Sequence, residues 1–175
     1  NKDGVAMSLG GIGHVYFNKG EYDLALDHYN RSLLICEKNG YRGNIGSILN
    51  KIGDIHLIEG EYDQAVDCYT RSLKIREELG KENELYNITN LFLANKQLGK
   101  EYDLQELNKL IAEADEIDYE TNFSLYELLD NKLYLENAYD QIQEKVDSME
   151  NEIKENFLNY PLPKKIIEKY NSESA

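Results

Sequence analysis

Apolar residues recur through the first eighty residues at the spacing of an α-helix. Tyr22, Ala25, Leu26, Tyr29 and Leu33 stand at i, i+3, i+4, i+7 and i+11, with Asp23, Asp27 and Arg31 between them. That spacing predicts a helix with one apolar and one charged face. Upstream, Leu9, Ile12, Gly13, Tyr16 and Phe17 form a second amphipathic stretch, which Asn18-Lys19-Gly20 closes with a turn signal. Two helices joined by a short turn are therefore predicted. Asn39-Gly40 and Gly80 predict further breaks, because glycine readily takes the left-handed conformation that ends a helix.

The same pattern then returns. GEYDLALDHYNRSLLI, residues 20–35, reappears forty residues later as GEYDQAVDCYTRSLKI, residues 60–75, with eleven of the sixteen positions identical. Small residues repeat as well: Gly13 and Gly53 on the first helix, Ala25 and Ala65 on the second. They leave room for the helix axes to approach closely. A helix pair of this size cannot bury its apolar face alone, whereas stacked neighbours can, so the repetition itself predicts how the chain folds.

Leu9, Ile12, Gly13, Tyr16, Ala25 and Tyr29, followed by Leu49, Ile52, Gly53, Ala65 and Tyr69, resemble the tetratricopeptide repeat. The forty-residue period exceeds the basic unit of about 34 residues and is similar to the long-helix variety found in scaffold proteins and bacterial signalling proteins. His56 replaces the aromatic Tyr16, and Ser32 and Ser72 stand where alanine is usual. The resemblance implies an all-α fold: a right-handed superhelical array of antiparallel helix pairs, an α-solenoid, with a C-terminal capping helix. The expected divisions are repeats at 1–40 and 41–80, a degenerate repeat at 81–118, a repeat-like pair at 119–157, and a cap and tail at 158–175. In the third unit Tyr102 and Asp103 keep the forty-residue register, but the first helix, LYNITNLFLANKQLG, has lost its glycine. In the fourth, Ala138-Tyr139-Asp140 resembles the start of a second helix. Pro161 and Pro163 predict a break before a short amphipathic helix in which Ile166, Ile167 and Tyr170 close the array. The run from Tyr119 to Tyr170 is similar to the segment that ends repeat arrays in some bacterial multidomain signalling proteins, including ones with cyclase or kinase domains.

Leu135, Tyr139, Ile142, Val146, Met149 and Ile153 alternate spacings of four and three, a heptad seam that Phe157 breaks. Two readings stand: a capping helix laid against the preceding pair, or a short coiled coil that makes a homodimer or leads into another domain.

Charge narrows the partners. The chain carries a net charge of −14, divided as −3 over residues 1–80 (9 basic, 12 acidic) and −11 over 81–175 (10 basic, 21 acidic). Nucleic acid is not expected, because phosphate recognition needs a basic surface. The acidic half suits a basic partner or serves as a solvated face. Cys36 and Cys68 occupy non-equivalent positions of the two copies, which predicts reduced thiols and a cytoplasmic setting. No apolar run reaches the roughly 18 residues of a membrane span. The opening NKDGVAMS lacks a signal-peptide pattern, and Lys2 to Ala6 align with Arg42 to Gly46, so a fragment or processed chain is expected.

The sequence has no phosphate-binding glycine loop, no nucleophile elbow and no metal-ligand cluster. No catalytic residue, metal or cofactor is expected. His14 and Asp54 fall at equivalent positions on adjacent first helices and are expected as neighbours. The resemblance implies that first helices line a concave binding face. Carried over by position, that face holds Met7, Gly10, His14, Phe17 and Asn18, then Ser47, Asn50, Asp54, Leu57 and Ile58, then Asn87, Asn90, Ala94 and Gln97. Asn50, Asn87 and Asn90 bring donors and acceptors suited to a peptide backbone. The basic clamp that some members use to hold an acidic C-terminal peptide is missing at these positions, so a neutral or basic protein or peptide is expected. The function expected is a non-catalytic binding scaffold. The alternatives are a regulatory segment of a larger signalling enzyme of cyclase or kinase type, and self-assembly through the heptad helix.

Overall fold

Glycines twenty residues apart set the architecture. Gly20, Gly40, Gly60 and Gly80 all have φ between 67° and 79°, and the chain reverses at each. The computed structural model describes residues 2–80 and 85–174, and among them the regular structure is ten α-helices. The chain divides into two units at Leu104 and Gln105.

The first unit contains α1 (Lys2–Asn18), α2 (Tyr22–Asn39), α3 (Arg42–Glu59), α4 (Tyr62–Glu78) and α5 (Leu85–Gln97). Helix α1 pairs with α2 and α3 with α4, while α2 packs on α3 and α4 on α5. The small residues act as expected. A Cβ at Gly13 would lie 2.9 Å from the Tyr29 ring, and one at Gly53 would lie 3.0 Å from the Tyr69 ring. Ala25 and Ala65 are fully buried, so each pair closes around one tyrosine ring. The two serines also find a reason. Ser32 Oγ donates to the carbonyl of Ala6 at 2.6 Å and Ser72 Oγ to that of Gly46 at 2.8 Å, each tying a second helix to its first. Polar bridges join the two pairs, Asn44 to Asp3 at 3.1 Å and Arg71 to Glu37 at 3.6 Å, and Lys100, just after α5, reaches Asp63 of α4 at 3.1 Å.

The second unit contains α6 (Leu104–Glu113), α7 (Tyr119–Leu129), α8 (Lys132–Asp147), α9 (Asn151–Leu158) and α10 (Pro161–Ser174). Its core is Phe123, Tyr126, Leu135, Ala138, Ile142, Val146, Phe157 and Ile166. Helices α7 and α8 pair through a turn without glycine, in which Asp130 takes φ 54° and Asn131 caps α8. Helix α10 lies along α8, with the Tyr139 and Tyr170 rings stacked 3.9 Å apart.

Several expectations need correcting. The helices expected to form a third pair at 81–118 fall on either side of the division, α5 in the first unit and α6 in the second; positions 81–84 lie outside the described residues. Ala138-Tyr139-Asp140 sits in the middle of α8 rather than at its start. The heptad seam is not one helix, since α8 ends at Asp147 and α9 begins at Asn151. Leu135, Ile142 and Val146 are buried in the core of their own unit, with Tyr139 and Met149 packed against it; Ile153 alone of the six is exposed. That core already occupies the side chains a coiled-coil dimer would need. Pro161 and Pro163 open α10 instead of preceding it, because the first turn of a helix has no intrahelical use for its N–H groups.

Candidate functional site

In the first unit the first helices are neighbours: α3 contacts both α1 and α5. At their meeting point stands Lys51 of α3, a residue absent from the sequence-derived candidates. Its ammonium lies 5.6 Å from the ring centre of Phe17 on α1 and 5.3 Å from that of Tyr86 on α5. Both distances are within the range of a cation–π contact. Lys51 Nζ also donates to Asp54 Oδ2 at 3.0 Å, and Tyr69 Oη donates to Asp54 Oδ1 at 2.8 Å. One cation thus links three consecutive first helices, and one carboxylate ties it to a second helix.

Burial grades this face. Asp54 is only 4% exposed, so Lys51 and the Tyr69 hydroxyl serve a carboxylate that water barely reaches. Tyr69 is fully buried and its hydroxyl is held well above the usual tyrosine range, first by burial and then by the Asp54 charge. Tyr29, its counterpart in the first pair, is pushed up to about 12 by burial, with Lys51 opposing and Asp54 adding to the shift. Its hydroxyl has no hydrogen-bond partner among the described residues. The sequence accounts for the difference between the tyrosines: the position that holds Asp54 in the second copy holds His14 in the first.

The sequence-predicted residues separate into two sets. His14 and Ser47 are exposed, as are Met7, Ile58 and Gln97, while Phe17 and Asn18 are half-buried. His14 stacks on Phe17 with ring centres 6.4 Å apart, and its Nε2 accepts from Asn18 Nδ2 at 3.2 Å. Asn50, Asp54, Asn87 and Asn90 are buried, at 7%, 4%, 0% and 2% exposure. For Asn50 and Asp54 the cause is that α3 is flanked by helices on both sides. Asn50 Oδ1, Asn90 Oδ1, both amide atoms of Asn87 and the hydroxyl of Thr89 have no hydrogen-bond partner among the described residues. Each buried group left in this way costs about 1–3 kcal/mol, a concentration of unspent polar capacity on α3 and α5.

One group of side chains has metal-ligand spacing. His56, Glu59 and Glu61 offer ligand atoms within 4.8 Å of one another at the α3–α4 turn. His56 Nδ1 is hydrogen-bonded to Glu61 Oε2 at 2.6 Å, and both glutamates are exposed. The hydrogen bond accounts for the approach of His56 and Glu61 without a metal, and Glu59 stands three residues after His56 on α3, on the same helix face.

Stacked antiparallel helix pairs, with small residues at the crossings and a face built from successive first helices, define a helical-repeat protein. The tetratricopeptide repeat family model matches residues 4–78, so the segment that forms α1 to α4 is of the tetratricopeptide repeat type. No curated protein matches the chain. Among the described residues no helix is long and apolar enough to cross a membrane.

Proposed function

We propose that the first-helix face of α1, α3 and α5 binds a segment of another protein without catalysis. The carrying observation is Lys51, held between Phe17 and Tyr86, which makes one continuous face out of three helices distant in sequence. His14, Asn18, Ser47 and Gln97 supply polar contact around it, while Asn50, Asn87 and Asn90 lie buried beneath in the same helices. Side-chain amides both donate and accept, as a peptide backbone does. Asp54 already balances Lys51, and the chain has a net charge of −14. Both favour a neutral or basic segment over an acidic one.

The test is selection of ligands from a random peptide library displayed on phage, followed by fluorescence anisotropy with the enriched peptides. Wild type is compared with Lys51→Ala, Tyr86→Ala and a control at exposed Leu133 in the second unit, each checked for helical content. The expected result is enrichment of neutral or basic peptides whose affinity falls about tenfold or more in the first two variants, the loss of one good contact. Peptides that bind the folded Lys51 and Tyr86 variants as tightly as wild type would place the binding surface elsewhere. Enrichment of acidic peptides would overturn the charge argument.

A further inference from the structure

Helix α1 is composed like an interior helix and is not buried like one. From Gly4 to Asn18 it has no Asp, Glu, Lys or Arg, in a chain of which 30% is charged. Yet only Ala6 and Gly13 are buried in it, against nine residues of α3. The forty-residue register makes the comparison position by position. Val5, Ile12 and Val15 are 52%, 44% and 54% exposed, whereas their counterparts Ile45, Ile52 and Ile55 are 9%, 5% and 0% exposed. Ser8, also exposed, corresponds to the buried Ile48.

What covers the α3 face is known. Helix α2 meets it with Tyr22, Leu26, Tyr29, Leu33 and Cys36, a stripe at alternating spacings of four and three. Charge continues the contact, because Arg71 of the covered pair reaches Glu37 of the covering one while also bonding Asp67. Arg31 is the counterpart of Arg71. It pairs with Asp27 at 3.2 Å in the same way, and its side chain is 58% exposed.

We infer that the Val5, Ser8, Ile12 and Val15 face of α1 is a docking surface for a further helix pair of this repeat type. The partner lays the apolar stripe of its second helix on α1 and offers a carboxylate to Arg31. The interface would extend the established α2–α3 contact by one step, and it is separate from the face proposed to bind peptide. A second copy of this chain is a poorer occupant, since the matching stripe on α2 is covered by α3 and that on α4 packs against α5.

The experiment fuses a duplicate of residues 1–40 ahead of the full chain, which keeps the forty-residue register and presents a copied stripe and a copied Glu37 to α1. Amide hydrogen exchange is then followed in both forms. Exchange in the original α1 should slow about tenfold or more, while the copied α1, now outermost, stays fast and serves as the internal control. Unchanged exchange in the original α1, or an added pair that stays unfolded beside a folded chain, would overturn the inference. Ile12→Lys gives an independent reading: it should lower Tm in the extended chain and leave it unchanged in the original. Equal shifts in the two would mean that the residue serves only its own pair. Sedimentation velocity of the original chain closes the remaining route, because a dimer dissolved by Val5→Lys or Ile12→Lys would make a second copy the occupant and refute the assignment.

Discussion

Two glycines seven residues apart on α3 should respond to the same substitution with opposite signs. Replacing a helix-interior glycine with alanine gains about 1 kcal/mol of helix propensity, provided that the new methyl group has space. At Gly46 it has: the nearest atoms to an added Cβ are Ile75 Cγ2 and Ser72 Oγ, both at 3.6 Å, an ordinary contact. Gly46→Ala should therefore stabilise by about 0.5–1 kcal/mol. At Gly53 the Cβ would lie 3.0, 3.1 and 3.2 Å from three atoms of the Tyr69 ring. That ring is fully buried, and its hydroxyl is bonded to Asp54 at 2.8 Å, so it cannot retreat without straining the Asp54 bond. Overpacking of this kind costs about 1–3 kcal/mol, which exceeds the propensity gain and leaves Gly53→Ala destabilising by about 1 kcal/mol. The two variants then differ by roughly 2 kcal/mol, or about 4–8 °C in Tm for a chain of this size. Scanning calorimetry and urea denaturation followed by circular dichroism measure both. If Gly53→Ala stabilised as much as Gly46→Ala, the Tyr69 ring would be free to move and the argument for enforced close approach would be wrong.

The remaining predictions concern titration. Glu173 accepts hydrogen bonds from Tyr126 and Lys169, and these, with Lys132, lower its carboxyl to about 2 from 4.5. The sign follows: a depressed carboxylate contributes stability that is fully present above pH 4.5 and is lost as pH falls toward 2. Wild type should be more resistant to denaturant than Glu173→Gln at pH 6, with the gap closing between pH 4.5 and 2; a gap independent of pH would dismiss the linkage. Burial pushes the Cys68 thiol up to about 11 and raises that of Cys36. Alkylation of Cys68 by iodoacetamide at pH 8 should accordingly run on the order of a hundredfold slower in the folded chain than in urea, with Cys36 slowed in the same direction, and equal rates would show that the α2 and α4 environments are open.

The repeat was legible because it is written twice in nearly the same words, and because Gly13 and Gly53 mark a crossing that only a missing side chain allows. The second unit was harder to read. Its α7–α8 turn uses Asp130 in the left-handed region instead of a glycine, so the punctuation that worked at Gly20, Gly40 and Gly60 had no counterpart there. The prolines misled for a related reason: a proline breaks a helix from within but suits its first turn, and the sequence does not say which turn is first. The heptad spacing of Leu135, Tyr139, Ile142 and Val146 was a true mark of an apolar face. Spacing cannot say whether that face meets a second chain or, as the structure has it, helices of the same unit.

The binding face shows where a column-by-column comparison of repeats stops being informative. Lys51 corresponds to Gly11 in the first copy and Leu91 in the third, and Tyr86 corresponds to Ala6 and Gly46. Neither belongs to a repeated pattern, so a reading that follows the repeat passes over both. The positions repeated between copies build the pair, whereas the contact that joins Phe17, Lys51 and Tyr86 is built from residues that differ between copies. The buried asparagines follow the same division. Asn50 and Asn90 share a column with Gly10, and Asn87 shares one with Met7 and Ser47. Where the first pair is small or apolar, α3 carries one such amide, Asn50, and α5 carries two, Asn87 and Asn90, all with bonding incomplete. Each departure carries a cost in stability, in a scaffold whose repeated positions already provide the packing, and that cost is what marks these columns as the place to look for specificity.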